Sequence, residues 1–217
     1  MEPCGGGEKS SLVETYGFGR APRFPGAAFD VIGVAASAGG LRALSELLSG
    51  LPPIFPAALV VVQHLDPRHR SLMADILSRR TPLRVKQAEQ QDQIQPGVVY
   101  IAPPDQHLLV NPDGTLALSH SEMVHFVRPS ADLLLESLAG SYRERAIAVV
   151  LTGAGSDGAM GVRAVHKTGG TVIVQDRHSA EFPGMPEAAI DTGDVDFVLP
   201  LSEIPPALIK MVEAQEE

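Results

Sequence analysis

Val31-Ile32-Gly33-Val34-Ala35-Ala36-Ser37-Ala38-Gly39-Gly40 reads as a buried strand that turns directly into a helix. A strand covered by helices on both faces shows a continuous apolar run rather than an alternating one, and this stretch is such a run. It ends on a lone hydroxyl, Ser37, set among small residues that permit a tight turn.

The same texture repeats along the chain. Strands are predicted at Asp30–Val34, Ala58–Val62, Val98–Ala102, Ala146–Leu151, Thr171–Val174 and Phe197–Leu199. Apolar residues at helical spacing, or plausible caps, predict helices over Gly40–Leu51, Ser71–Arg80, Ser130–Arg145, Gly158–Thr168 and Ser202–Ala214. Leu108–Val110 and Leu116–Leu118 flank Pro112-Asp113-Gly114 and predict an antiparallel hairpin attached to the sheet. Strands alternating with helices define an α/β fold, a doubly wound and mostly parallel sheet with helices on both faces and this small hairpin. Residues 1–28, rich in glycine and proline without a sustained period, predict a flexible tail ahead of one domain over 29–217.

Composition narrows the chemistry. A chain of 217 residues, 44% hydrophobic and 20% charged, suits one globular domain. Its formal net charge of −9 disfavours broad phosphate-backbone binding, which rests on Lys and Arg, so no nucleic-acid partner is expected. The single cysteine, Cys4, allows no disulfide within the chain. The apolar runs are far shorter than the roughly 20 residues a spanning helix needs, and no secretory signal is visible. A cytoplasmic protein without membrane insertion is expected.

Three polar residues stand at the carboxyl ends of predicted strands. Ala35-Ala36-Ser37-Ala38-Gly39 is a relaxed G-x-S-x-G. Ser37 there can be a nucleophile, a helix N-cap or part of a phosphate loop; the last lacks both G-x-G-x-x-G and a P-loop lysine. His64 closes the second strand, where loops of a parallel sheet converge on one crevice. Asp157, in Leu151-Thr152-Gly153-Ala154-Gly155-Ser156-Asp157-Gly158, can orient that histidine or cap the helix that follows, and one residue can do both. The convergence of all three favours a catalytic triad. Its order, Ser, His, Asp, differs from that of α/β-hydrolases. His69, His107, His120, His125, His166 and His178 show no metal-ligand spacing, so no metal site is expected.

With these residues the chain resembles the catalytic domain of CheB-type protein-glutamate methylesterases over about residues 29–213. The resemblance is carried by Gly33 to Gly40, Gln63-His64, Tyr100 to His107, Arg128-Pro129-Ser130-Ala131-Asp132, Leu151 to Gly158, and Gly184-Met185-Pro186-Glu187-Ala188-Ala189. It implies Ser37 as nucleophile, His64 as general base and acid, and Asp157 as the orienting carboxylate. It also implies no metal or organic cofactor, and cytoplasmic helices of methyl-accepting chemoreceptors as substrate, with glutamine deamidation as a second activity.

Ala38 and Ala154 stand where family members often carry threonine and methionine. Their backbone N–H groups are nonetheless expected to form the oxyanion hole. Arg68, Arg70 and Arg128, with Arg42, are candidates for a basic rim that binds substrate, against the plainer reading of solvated helix ends. Many family members carry a receiver domain before the catalytic one. The 28 residues here are too few for it, so regulation is expected to be absent, supplied by a separate response-regulator activator, or different in kind. The competing readings are a serine esterase or amidase with another substrate, and a signalling module that has lost turnover.

Overall fold

The computed structural model describes residues 29–64 and 71–214. The expected tail, Cys4, Arg68 and Arg70 lie outside the described residues. Seven strands form one sheet: β1 (Val31–Ala36), β2 (Ala58–Gln63), β3 (Arg84–Gln87), β4 (Val98–Ile101), β7 (Ala146–Val150), β8 (Thr171–Gln175) and β9 (Phe197–Leu199). Their order is β3-β4-β2-β1-β7-β8-β9, and every pairing is parallel. The helices are α1 (Gly40–Ser49), α2 (Met73–Leu77), α3 (Ala131–Tyr142), α4 (Ala159–Lys167), α5 (Gly184–Ile190) and α6 (Ile204–Glu213).

All six residues of β1 and of β2 are buried, as their apolar composition demands when helices cover both sides. Successive residues point to opposite faces, so Val31 and Ala35 join one core with α3 and α4, while Ile32, Val34 and Ala36 join another with α1, α2 and α6.

One sequence expectation is corrected, and one strand had no counterpart in the sequence reading. The hairpin, β5 (His107–Val110) and β6 (Leu116–Ser119), forms a separate two-stranded sheet rather than extending the main one. It is seated on α3 instead: Val110 N–H donates to Ser137 Oγ (3.0 Å) and Ser141 Oγ donates to Val110 O (2.9 Å). The edge strand β3 was not expected. Its sequence, Arg84-Val85-Lys86-Gln87, is largely solvated and carries no apolar run to announce it.

The order of strands positions the site. From β1 the chain proceeds through α1 to β2 on one side, and later returns through α3 to β7 on the other. β1 is therefore the topological switch point, and ligands of such sheets bind in the crevice beyond the strand carboxyl ends there. Ser37 is the first residue past that end.

Candidate active site

Ser37 is held from both neighbouring strands. Its N–H donates to Thr152 O (3.0 Å), just beyond β7, and its carbonyl accepts from Gln63 Nε2 (2.7 Å), the last residue of β2. Gly40 N–H donates to the same carbonyl (2.9 Å) and closes the turn into α1. That turn requires glycine, because Gly39 has φ of +75°, a left-handed conformation that side chains disfavour.

Parallel register brings His64 beside Ser37. Ala36 pairs with Gln63, and His64 N–H continues the ladder onto Ala36 O (3.2 Å), so the residues after each strand end are neighbours. Gln63 Nε2 also donates to His64 O (3.0 Å), joining the two backbone carbonyls through one buried amide.

The histidine in turn meets Asp157, its Nε2–H donating to Oδ2 at 2.8 Å. Asp157 is 5% exposed and accepts three further hydrogen bonds, from Ala131 N–H (2.6 Å), Asp132 N–H (3.0 Å) and Ser130 Oγ (2.8 Å). It thus caps the start of α3 from another part of the chain, while Ser130, in the cap position itself, turns its hydroxyl to Asp157. Burial alone raises the carboxyl pKa. The hydrogen bond from His64 and those from the α3 start outweigh it and hold Asp157 below the usual carboxylate range. It is ionised at neutral pH, the state needed to orient an imidazole and stabilise its protonated form.

A second layer supports this one. Asp132 Oδ1 accepts from Gly158 N–H and Gly161 N–H, both 2.9 Å, at the start of α4. Its Oδ2 is buried without a hydrogen bond among the described residues, 3.6 Å from His125 Nε2. Burial first, then the charge of Asp157, push Asp132 above the usual range, although the two backbone N–H groups oppose them. His107, fully buried, accepts Ser130 N–H on Nδ1 (3.1 Å) and donates from Nε2 to Glu122 O (3.0 Å).

On the β7 side, Thr152 Oγ1 lies 3.0 Å from Ala38 O and accepts Phe182 N–H (2.8 Å). Gly153 N–H donates to Phe182 O, and Met185 N–H to Gly153 O, each 2.8 Å. The Gly153 loop is thereby strapped against the turn that carries Ser37.

His64 hydrogen-bonds Asp157, and the backbone of Ser37 lies beside that of His64 at the ends of β1 and β2. Among the described residues, neither Ala38 N–H nor Ala154 N–H donates to a protein acceptor. Arg42 lies near Ser37 in a shared groove. Arg128 is otherwise engaged: Nε and Nη2 donate to Asp105 Oδ1 (3.0 and 2.6 Å), and Nη1 donates to the carbonyls of His120 and Ser121. Gln63, Ser130 and Asp132 carry supporting roles that sequence reasoning did not assign. The signal available for Gln63 was a polar side chain ending an otherwise apolar strand.

A parallel, doubly wound sheet with polar residues gathered at its switch point defines a class of α/β proteins whose site is built from strand-end loops. The model of the CheB methylesterase family matches residues 32–208, and the chain belongs to that family. A Leptospira interrogans relative is 39% identical over 183 residues, 84% of this chain and 95% of the relative. The protein-glutamate methylesterase FrzG of Myxococcus xanthus is 41% identical over 185 residues, 85% of this chain and 55% of FrzG, so the chain spans about half that protein. The crystal structure of the Thermotoga maritima CheB methylesterase catalytic domain superposes with a TM-score of 0.82 at 39% identity, covering 86% of this chain and all of that one. Among the described residues no helix is long and apolar enough to cross a membrane.

Proposed function

We propose that the chain is a protein-glutamate methylesterase acting on the cytoplasmic helices of methyl-accepting chemoreceptors, with Ser37 as nucleophile. The observation that supports it best is the backbone register that sets His64 beside Ser37, together with the hydrogen bond from His64 Nε2 to Asp157 Oδ2 at 2.8 Å. Because Nε2–H faces Asp157, Nδ1 is the nitrogen left to accept the Ser37 proton.

Ser37 Oγ attacks the γ-carbonyl of the methylated glutamate as His64 takes its proton. The oxyanion rests on backbone N–H groups of Ala38 and Ala154, which have no competing protein acceptor among the described residues. His64 returns the proton to the departing methoxy oxygen, releasing methanol and leaving a glutamyl ester on Ser37. Water, deprotonated by His64, cleaves that ester and regenerates Ser37. The same attack on a glutamine side chain releases ammonia instead. The names of FrzG and of a Thermotoga maritima relative, a protein-glutamate methylesterase/protein-glutamine glutaminase, support the methylesterase reading, and the second supports deamidation as well.

Methanol release from a glutamate-methylated chemoreceptor fragment tests the reaction, and mapping the adduct of a serine-directed phosphonate tests the nucleophile. Release together with an adduct on Ser37 is expected. Labelling of Ser37 without methanol release would point to another ester substrate, and neither result would leave a module without turnover.

A further inference from the structure

Between α1 and α2 a groove of about 590 Å³ opens beside Ser37, within the roughly 300–1,000 Å³ range of ligand clefts. Leu41, Arg42, Met73, Ile76 and Arg80 line it together with Ser37. Two features distinguish it from an ordinary solvated helix face. Leu41 and Ile76, in the same lining as the candidate nucleophile, keep 39% and 38% of their surfaces exposed and offer apolar contact there. The described residues lining it include two arginines and no carboxylate, on a chain with 26 acidic and 17 basic residues. Neither Arg42 nor Arg80 forms an ion pair among the described residues.

We propose that this groove docks the acidic substrate segment, packing the apolar neighbours of the modified glutamate on Leu41 and Ile76 and pairing nearby carboxylates with Arg42 and Arg80. The inference rests on the methylesterase reading and names the surface that selects the protein substrate. Charge complementarity commits it to an acidic segment. A chain of net charge −9 repels a glutamate-rich partner at long range, so productive approach needs a local region of opposite sign, and this groove supplies one that reaches Ser37. The apolar floor adds specificity for a segment with aliphatic residues flanking the ester.

The test is the kinetics of methanol release from a glutamate-methylated chemoreceptor fragment by the full chain and by Ile76→Asp and Arg80→Glu. Both side chains are exposed, and Arg80→Glu, which leaves the apolar floor untouched, carries the test alone if Ile76→Asp unfolds. Each variant is expected to raise KM by about tenfold while kcat stays within about twofold. Arg80→Glu is expected to regain much of that loss on a fragment whose flanking carboxylates are replaced by lysine. Wild-type turnover with unchanged KM in the folded variants overturns the docking surface alone. Absence of methanol release by the wild type overturns the methylesterase reading, and the docking surface with it.

Discussion

Asp157 and Asp132 exchange their carboxylates between two helices: Asp157 accepts Asp132 N–H (3.0 Å) and Ala131 N–H (2.6 Å) at the start of α3, and Asp132 accepts Gly158 N–H and Gly161 N–H (2.9 Å each) at the start of α4. Each aspartate satisfies N–H groups that a helix start leaves without an internal partner. The carboxylate facing His64 is therefore fixed by the packing of α3 on α4, and its orientation does not depend on His64.

Asp157→Asn should damage activity and stability together. Its amide places an N–H donor against His64 Nε2–H or against the α3 N–H groups, whichever way it turns. A fall in kcat of about 10³–10⁴ is expected. A stability loss of about 1–3 kcal/mol, read by urea denaturation, should accompany it. Full stability with lost activity would contradict the capping role.

Asp132→Ala leaves Gly158 N–H and Gly161 N–H without their acceptor in a buried setting, at a cost of about 1–3 kcal/mol. A kcat lowered by about tenfold is expected, since Asp157 then loses the fixed position of its loop. Asp132→Asn retains an oxygen for both donors and should restore most of each. Equal kcat in the alanine and asparagine variants would contradict a positioning role.

The two carboxylates should also respond oppositely to acid. Asp157 is held below its unfolded value of about 3.9, so its contribution is fully present above that value and is lost as pH falls through the lower folded pKa. Asp132 is pushed above that value, so its ionised form costs stability at neutral pH, and the cost disappears as pH falls toward about 3.9. Unfolding free energies across pH check this. Wild type relative to Asp157→Asn should lose its advantage in acid, whereas wild type relative to Asp132→Asn should gain as pH falls from neutral.

Much of this was legible in the sequence, for a physical reason. Strands buried on both faces must be apolar, so β1, β2, β4, β7 and β8 announced themselves, and polar residues at their ends stood out against that background. Register then places Ser37 beside His64. What stayed hidden was either solvated or long-range. β3 is an edge with a polar sequence, and α5 is a short helix begun by Gly184-Met185-Pro186 without periodicity to show it. Asp157 reads in sequence as the residue that orients His64, as a cap for the helix that follows it, or as both; only the fold shows it capping α3, 26 residues upstream. Arg128 reads as a free cation, and only the fold shows Asp105 and two carbonyls holding it.

Gly153→Ala tests the support behind Ser37. An added Cβ would stand 2.9 Å from Ser37 Cβ and against Met185 Sδ. With Ser37 as the proposed nucleophile, its displacement should lower kcat by about 10². Adding Met185→Ala should not restore it, because the contact with Ser37 remains. Wild-type turnover in Gly153→Ala would show that the turn tolerates a shift.

The most direct test of the central claim is methanol release from a glutamate-methylated chemoreceptor fragment, compared between the wild type and Ser37→Ala. The proposed roles of Ser37, His64 and Asp157 predict release by the wild type and a fall of several orders of magnitude in the variant. Equal release by both proteins would contradict Ser37 as the nucleophile, and no release by the folded wild type would contradict the proposed reaction.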